Sequence, residues 1–209
     1  METMLGIRGY ECAMMACDTM QAKTLMVIRK NQSKFFPLSK YSVMAVTGDA
    51  GDSRQLTRLV SRDVNLYQIK NGYSKNPRSV AHSTRNTFME YARAHNRYLV
   101  TTMLAGYDEK DGPDLHIIDS LGSAYRFKHA GHGYGSVFTS TILAENWHNK
   151  LTESEAYDIL KRCVSEIQKR SLVELENFEV YVVDKDGVRQ LETIDPKLLK
   201  MDSIVNLPH

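Results

Sequence analysis

The chain has 209 residues, 42% of them hydrophobic and 25% charged, with a formal net charge of +2. That composition suits one domain with a sizeable core, and a charge this near neutrality favours neither nucleic acid nor an anionic membrane as partner. The longest apolar runs fall far short of the ~20 residues a membrane-spanning helix needs, and none after Met1 reads as a signal-peptide core. The three cysteines, Cys12, Cys17 and Cys163, form no C-x-x-C pair, and their odd number suits reduced thiols in an intracellular compartment.

In chain order, residues 3–10 and 11–18 read as two strands turning near Gly9 and Tyr10. Thr24 to Arg29 is a further strand-like run, and Tyr41 to Thr47 a strand ended by Gly48. Asp49 or Asp52 suits the N-cap of a helix with Leu56, Leu59, Val60, Val64 and Tyr67 on one apolar stripe. Asn71-Gly72 ends that helix. Asn76-Pro77 opens the next, with an asparagine cap and a proline at the first helical position, where its missing N–H costs nothing. Val80, Thr84, Phe88 and Tyr91 form its buried stripe.

Arg97 to Tyr107, Leu115 to Asp119 and Ser123 to Lys128 read as strands, separated by turn chemistry at Gly112-Pro113 and Gly122. A glycine-rich turn, Gly131 to Gly135, leads into a third helix from Ser136 to Trp147. The fourth helix has the clearest start: Thr152 and Glu155 form a capping box ahead of Ala156, Ile159, Leu160, Cys163, Val164 and Ile167. Phe178 to Val183 and Val188 to Leu191 read as a hairpin around Asp184-Lys185-Asp186-Gly187. Strands before, between and after two helix pairs give an α+β, layered class.

The order of particular residues carries more. Glu2 is followed by Asp18 at the end of an apolar run, by Lys34 in Ser33-Lys34-Phe35, and by Val46-Thr47-Gly48-Asp49 at a helix entry. Further on come Leu104-Ala105-Gly106-Tyr107-Asp108, Gly131-His132-Gly133-Tyr134-Gly135-Ser136 and Glu166-Ile167-Gln168-Lys169-Arg170. In this register the chain resembles proteasome beta-type subunits, most of all the eukaryotic beta type-2 kind, which holds the fourth place of the beta ring and is not proteolytic. The resemblance implies the four-layer αββα sandwich of N-terminal-nucleophile hydrolases. It implies a structural subunit of the 20S core particle, at work in ubiquitin-dependent and other protein degradation, in the cytoplasm and nucleus. Its implied partners are beta subunits of the same and the opposite ring and subunits of the alpha ring; no cofactor is implied.

Active members of that family use an amino-terminal threonine, whose own amine takes the hydroxyl proton. Asp18 and Lys34 stand where that chemistry keeps an aspartate and a lysine, but Glu2 stands at the nucleophile position. A carboxylate is a poor nucleophile towards an amide, and its charge is expected to pair with Lys34. Tyr134 replaces a serine of the family pattern, and Arg170-Ser171 offers no late aspartate. No catalytic residue is therefore assigned. The alternative is a peptidase exposed by trimming to Thr3, but a one-residue slip along a strand turns the side chain to the other face.

His129 and His132 lack further ligands at a workable spacing, so no metal site is assigned and both read as loop histidines. The glycines before the third helix lack a phosphate-binding lysine, and no cofactor site is assigned. Ser136, Thr139, Ser140 and Thr141 read as helix surface, and Trp147 as core or interface anchor. Residues 1–193 form the domain. The tail 194–209, apolar with little room for a core of its own, is expected to pack on a neighbouring subunit.

Overall fold

A computed structural model describes residues 2–23, 26–171 and 175–198. The chain opens with β1 (Thr3–Arg8) and β2 (Ala13–Asp18), joined by a tight turn in which Gly9 N–H donates to Cys12 O at 2.8 Å. A separate two-stranded ribbon follows, β3 (Gln21–Lys23) with β4 (Met26–Arg29); Thr24 and Leu25 of the expected run lie outside the described residues. Then come β5 (Phe35–Ser39), β6 (Ser42–Gly48), α1 (Ala50–Asn71) and α2 (Pro77–Arg93). The second half runs β7 (Val100–Asp108), β8 (Gly112–Ile118), β9 (Ala124–Arg126), β10 (His129–Gly133), α3 (Ser136–Asn146), α4 (Glu153–Arg170), β11 (Phe178–Asp184) and β12 (Gly187–Gln190).

The strands form two five-stranded sheets, ordered β10-β1-β2-β11-β12 and β5-β6-β7-β8-β9, every pairing antiparallel. Alternation along each strand builds three apolar layers. Leu5, Ile7, Met14 and Ala16 of the first sheet pack on Ala156, Leu160, Cys163, Val164 and Ile167 of α4. Met44, Val46 and Leu104 of the second pack on Leu56, Val60 and Val64 of α1 and Val80 and Phe88 of α2. Between the sheets lie Met4, Met15, Cys17, Val43, Ala45, Met103 and Leu115. This is the expected αββα sandwich, and Cys12 and Cys17 fall in different layers.

Local chemistry sets the helix ends. Asp49 caps α1 by accepting from Gly51 N at 2.9 Å, and Gly72 closes it in the left-handed region at φ 77°. Asp52, the other candidate cap, instead accepts from Leu99 N at 2.8 Å. Asn76 caps α2, and Thr152 with Glu155 forms the capping box of α4.

Three strands escape the sequence pattern: the short β3 of the ribbon, and β5 and β10, which are both edges of the five-stranded sheets. β5 contains Pro37, and β10 carries glycines at 131 and 133. Either residue would weaken a central strand, but an edge tolerates a missing donor or side chain. His129 and His132 therefore stand on a strand rather than in a loop. Pro113, expected in a turn, is the second residue of β8 and pairs with Tyr107. Thr139 is fully buried rather than on the helix surface, its hydroxyl turned back to Gly135 O at 3.2 Å. Ile194 is buried against the α4 layer and exchanges backbone hydrogen bonds with Phe178, while residues 199–209 of the tail lie outside the described residues. No described helix is long and apolar enough to cross a membrane.

Candidate functional site

Glu2 precedes β1, Asp18 ends β2, Lys34 precedes β5 and Gly48 ends β6. Antiparallel pairing brings these four strand ends to one end of the sandwich, with the two sheets on either side. Lys34 crosses between them. Its Nζ donates to Asp18 Oδ2 at 2.8 Å and to Met20 O at 2.9 Å, and lies 3.5 Å from Glu2 Oε1. The ammonium has three protons and three oxygen neighbours. Lys34 is 5% exposed and Asp18 1%, so this is a buried ion pair.

Asp18 does more than hold the lysine. Its Oδ1 accepts from Thr3 N at 2.6 Å and its Oδ2 from Met20 N at 3.1 Å. The carboxylate thus knits the start of β1 to the end of β2. Burial of charge at such a site is tolerable only when every lone pair is taken.

Glu2 completes the arrangement from the opposite side. Its Oε2 accepts from Gly48 N at 2.6 Å while Oε1 faces Lys34. The pairing with Lys34 read from the sequence is present, but the second contact was not legible. Gly48 is recognisable in sequence only as a strand breaker, and nothing in a residue string marks a backbone N–H as a carboxylate donor. Its φ of 124° and the closeness of Leu99 and Val100 make glycine the fitting residue there.

Glu2 is an acceptor bound at both oxygens. The neighbouring hydroxyl, on Thr3, is fully buried on the other face of β1, where Thr3 Oγ1 accepts from Gly135 N at 3.1 Å. It sits against Gly135 and Ile167, in the layer of α3 and α4, away from Lys34. The one-residue slip has the consequence that strand geometry requires.

Tyr134 borders the site through its backbone, with its N–H donating to Glu2 O at 3.3 Å, and its ring meets Phe138 edge-on at 5.6 Å. Arg170 is paired with Glu166, and supplies no acid here. Gly133, at φ 86°, lies so close to Glu2 that any Cβ would strike the Glu2 carbonyl oxygen. The glycines before α3 serve close approach, as their pattern suggested, but from within an edge strand.

A cleft of about 760 Å³ opens beside Glu2, lined by Thr47, Gly48, Thr101, Ser120, His132 and Tyr134 among others. Burial pushes His132 below the usual imidazole range, which favours its neutral form. His129 is lowered too, by burial first and then by Lys128. His129 stands away from the cleft, 6.5 Å from the Trp147 ring, whose Nε1 donates to Arg8 O at 2.8 Å. Trp147 packs against the core on one side and under Lys128 on the other. Among the described residues no cluster of three or more His, Cys, Asp or Glu side chains has metal-binding geometry.

The family model described as proteasome subunit matches residues 1–183. The chain belongs to the proteasome subunit family. Its similar relatives are beta-type. It is 31% identical over 193 residues to proteasome subunit beta type-4 of Saccharomyces cerevisiae, covering 92% of this chain and 98% of the relative. It is 31% identical to proteasome subunit beta type-2-A of Arabidopsis thaliana, covering 90% of this chain and 92% of the relative. With proteasome subunit beta type-2 of Oryza sativa it shares 30% identity over 91% of this chain and 89% of the relative. Membership implies assembly with other proteasome subunits.

Proposed function

We propose that this chain is a structural, non-catalytic beta subunit of the 20S core particle. It fills one place in a seven-membered beta ring, between two beta neighbours, against the alpha ring and the opposite beta ring. It thereby helps to close the chamber in which other subunits cut unfolded protein. The observation that carries this reading is Glu2, whose carboxylate stands at the nucleophile position and is held by Lys34 and Gly48 N–H. The retained Asp18–Lys34 pair has a structural reason to persist, because removing one partner of a buried pair leaves the other charge uncompensated. Each ring contact is heterologous, so the two flanks of the subunit present different surfaces. On this reading the tail beyond Ile194 packs on a neighbour, and the subunit works in the cytoplasm and nucleus.

Native mass spectrometry of the assembly that co-purifies with the chain, with its amino terminus read in the same run, tests this. A large complex of many distinct subunits, with Glu2 retained on this one, is the expected result. A free chain, or a homomeric ring whose copies begin at Thr3, would overturn it in favour of a peptidase.

A further inference from the structure

The space around Glu2 is divided in two. The open cleft of about 760 Å³ is lined by Glu2, Thr47, Gly48 and His132 but does not reach Lys34. Adjoining it is a small recess of about 50 Å³ lined by Lys34, Arg54, Ser33 and again Glu2 and Gly48. Glu2, with Gln21, Gly48 and Ala50, lines both and so stands in the partition between them. Of the residues lining the recess, Lys34 and Arg54 are cationic and Glu2 alone is acidic. Asp18 answers part of that charge by pairing with Lys34.

We propose that Glu2 is a resident ligand. Lys34 and Gly48 N–H together make a carboxylate-binding site, and the Glu2 side chain fills it and shuts it to carboxylates entering by the cleft, such as the terminus of a peptide. This rests on the non-catalytic reading and deepens it. The contacts are those a carboxylate ligand would make: a charge-assisted hydrogen bond of 2.6 Å from a backbone N–H and an ion pair at 3.5 Å. Because Glu2 is joined to β1, it competes intramolecularly and without the entropy cost of bringing in a free carboxylate. Without its side chain the Gly48 donor and the cationic recess would open to the cleft.

The test is a melting titration of the full chain and its variants with sodium formate, against sodium chloride at equal ionic strength. Glu2→Ala should show a saturable rise specific to formate, about 2–4 °C at several times the dissociation constant. Wild type should show none. Glu2→Gln should show none either, since its amide still fills the site. If the Glu2→Ala chain does not fold alone, formate should restore a cooperative melt. An unresponsive Glu2→Ala chain, or a wild type that responds equally, overturns the proposal. Peptide hydrolysis, assayed on wild type in parallel, bears only on the non-catalytic reading, so the two failures are separable.

Discussion

Each end of the sandwich carries one cation set between two carboxylates, yet the two clusters differ in everything that decides their worth. At one end Lys34, 5% exposed, lies between Asp18 and Glu2, with Met20 O as a further partner. At the other, Arg189 bridges Glu153 at the start of α4 and Asp184 at the end of β11, and its side chain is 43% exposed. The chemistry is similar, but the surroundings are not. Water competes for Arg189 and screens it, whereas the Lys34 cluster is enclosed by both sheets. Electrostatic interaction strengthens as the effective dielectric falls, and so does the cost of leaving a partner behind. Charge counting would treat the two alike, while burial separates them by several-fold in expected effect.

Four substitutions sharpen or break that contrast. Asp18→Ala is expected to cost about 3–5 kcal/mol, because it strands a buried ammonium and the amides of Thr3 and Met20. Urea unfolding of the full chain measures it, and a loss below that of Arg189→Gln would erase the distinction between the ends. Gly133→Ala, at the same end, drives a methyl onto the Glu2 carbonyl in a backbone region unsuited to alanine; a loss of about 1–3 kcal/mol is expected on the same denaturation curve.

At the exposed end Thr152→Ala removes the capping box of α4, at about 1 kcal/mol, read as a lower melting temperature with the fold retained. Arg189→Gln should cost less than about 1 kcal/mol and the loss should shrink in high salt. Its pH dependence has a definite sign. Burial raises the Asp184 carboxyl, but hydrogen bonds from Arg189 and from the Asp186 and Gly187 amides outweigh it and hold the group below the ordinary 3.8 of an aspartate. The contribution is therefore complete above that value and lost as pH falls through the lower folded one. Wild type and Arg189→Gln should converge in stability in strong acid, and a gap that persists there would exclude the Asp184 contact as its source.

The buried thiols offer one more check, on the layers themselves. Burial, reinforced by Glu153 and Asp184, pushes Cys12 up to about 11, and burial pushes Cys163 up to about 12. Both should resist alkylation at pH 8 in the folded chain and react once it is unfolded in urea, because only the thiolate attacks. Rapid labelling of folded chain would mean that the helix-covered layer is open.

Much of this molecule is readable from residue order because its signals are local. The stripes of α1, α2 and α4, the caps Asp49, Asn76 and Thr152, and the closing Gly72 each depend on neighbours within a turn or two. They lie where the pattern places them. The edge strands β5 and β10 were missed because proline and glycine argue against a strand unless its place in the sheet is known. At the candidate site, Glu2, Asp18 and Lys34 were legible as charged residues in a family register, and their pairing was expected from charge alone.

Gly48 N–H, Met20 O and the partition formed by Glu2 were not legible, since each belongs to backbone or space that exists only when distant strands meet. The sequence by itself determined the four helices, most of the central strands and that a carboxylate stands at position 2. Only the tertiary structure decided where that carboxylate points, because direction depends on donors brought together from strand ends far apart along the chain. It likewise decided which of two similar charge clusters matters, because desolvation is a property of the enclosing layers rather than of the residues that carry the charge.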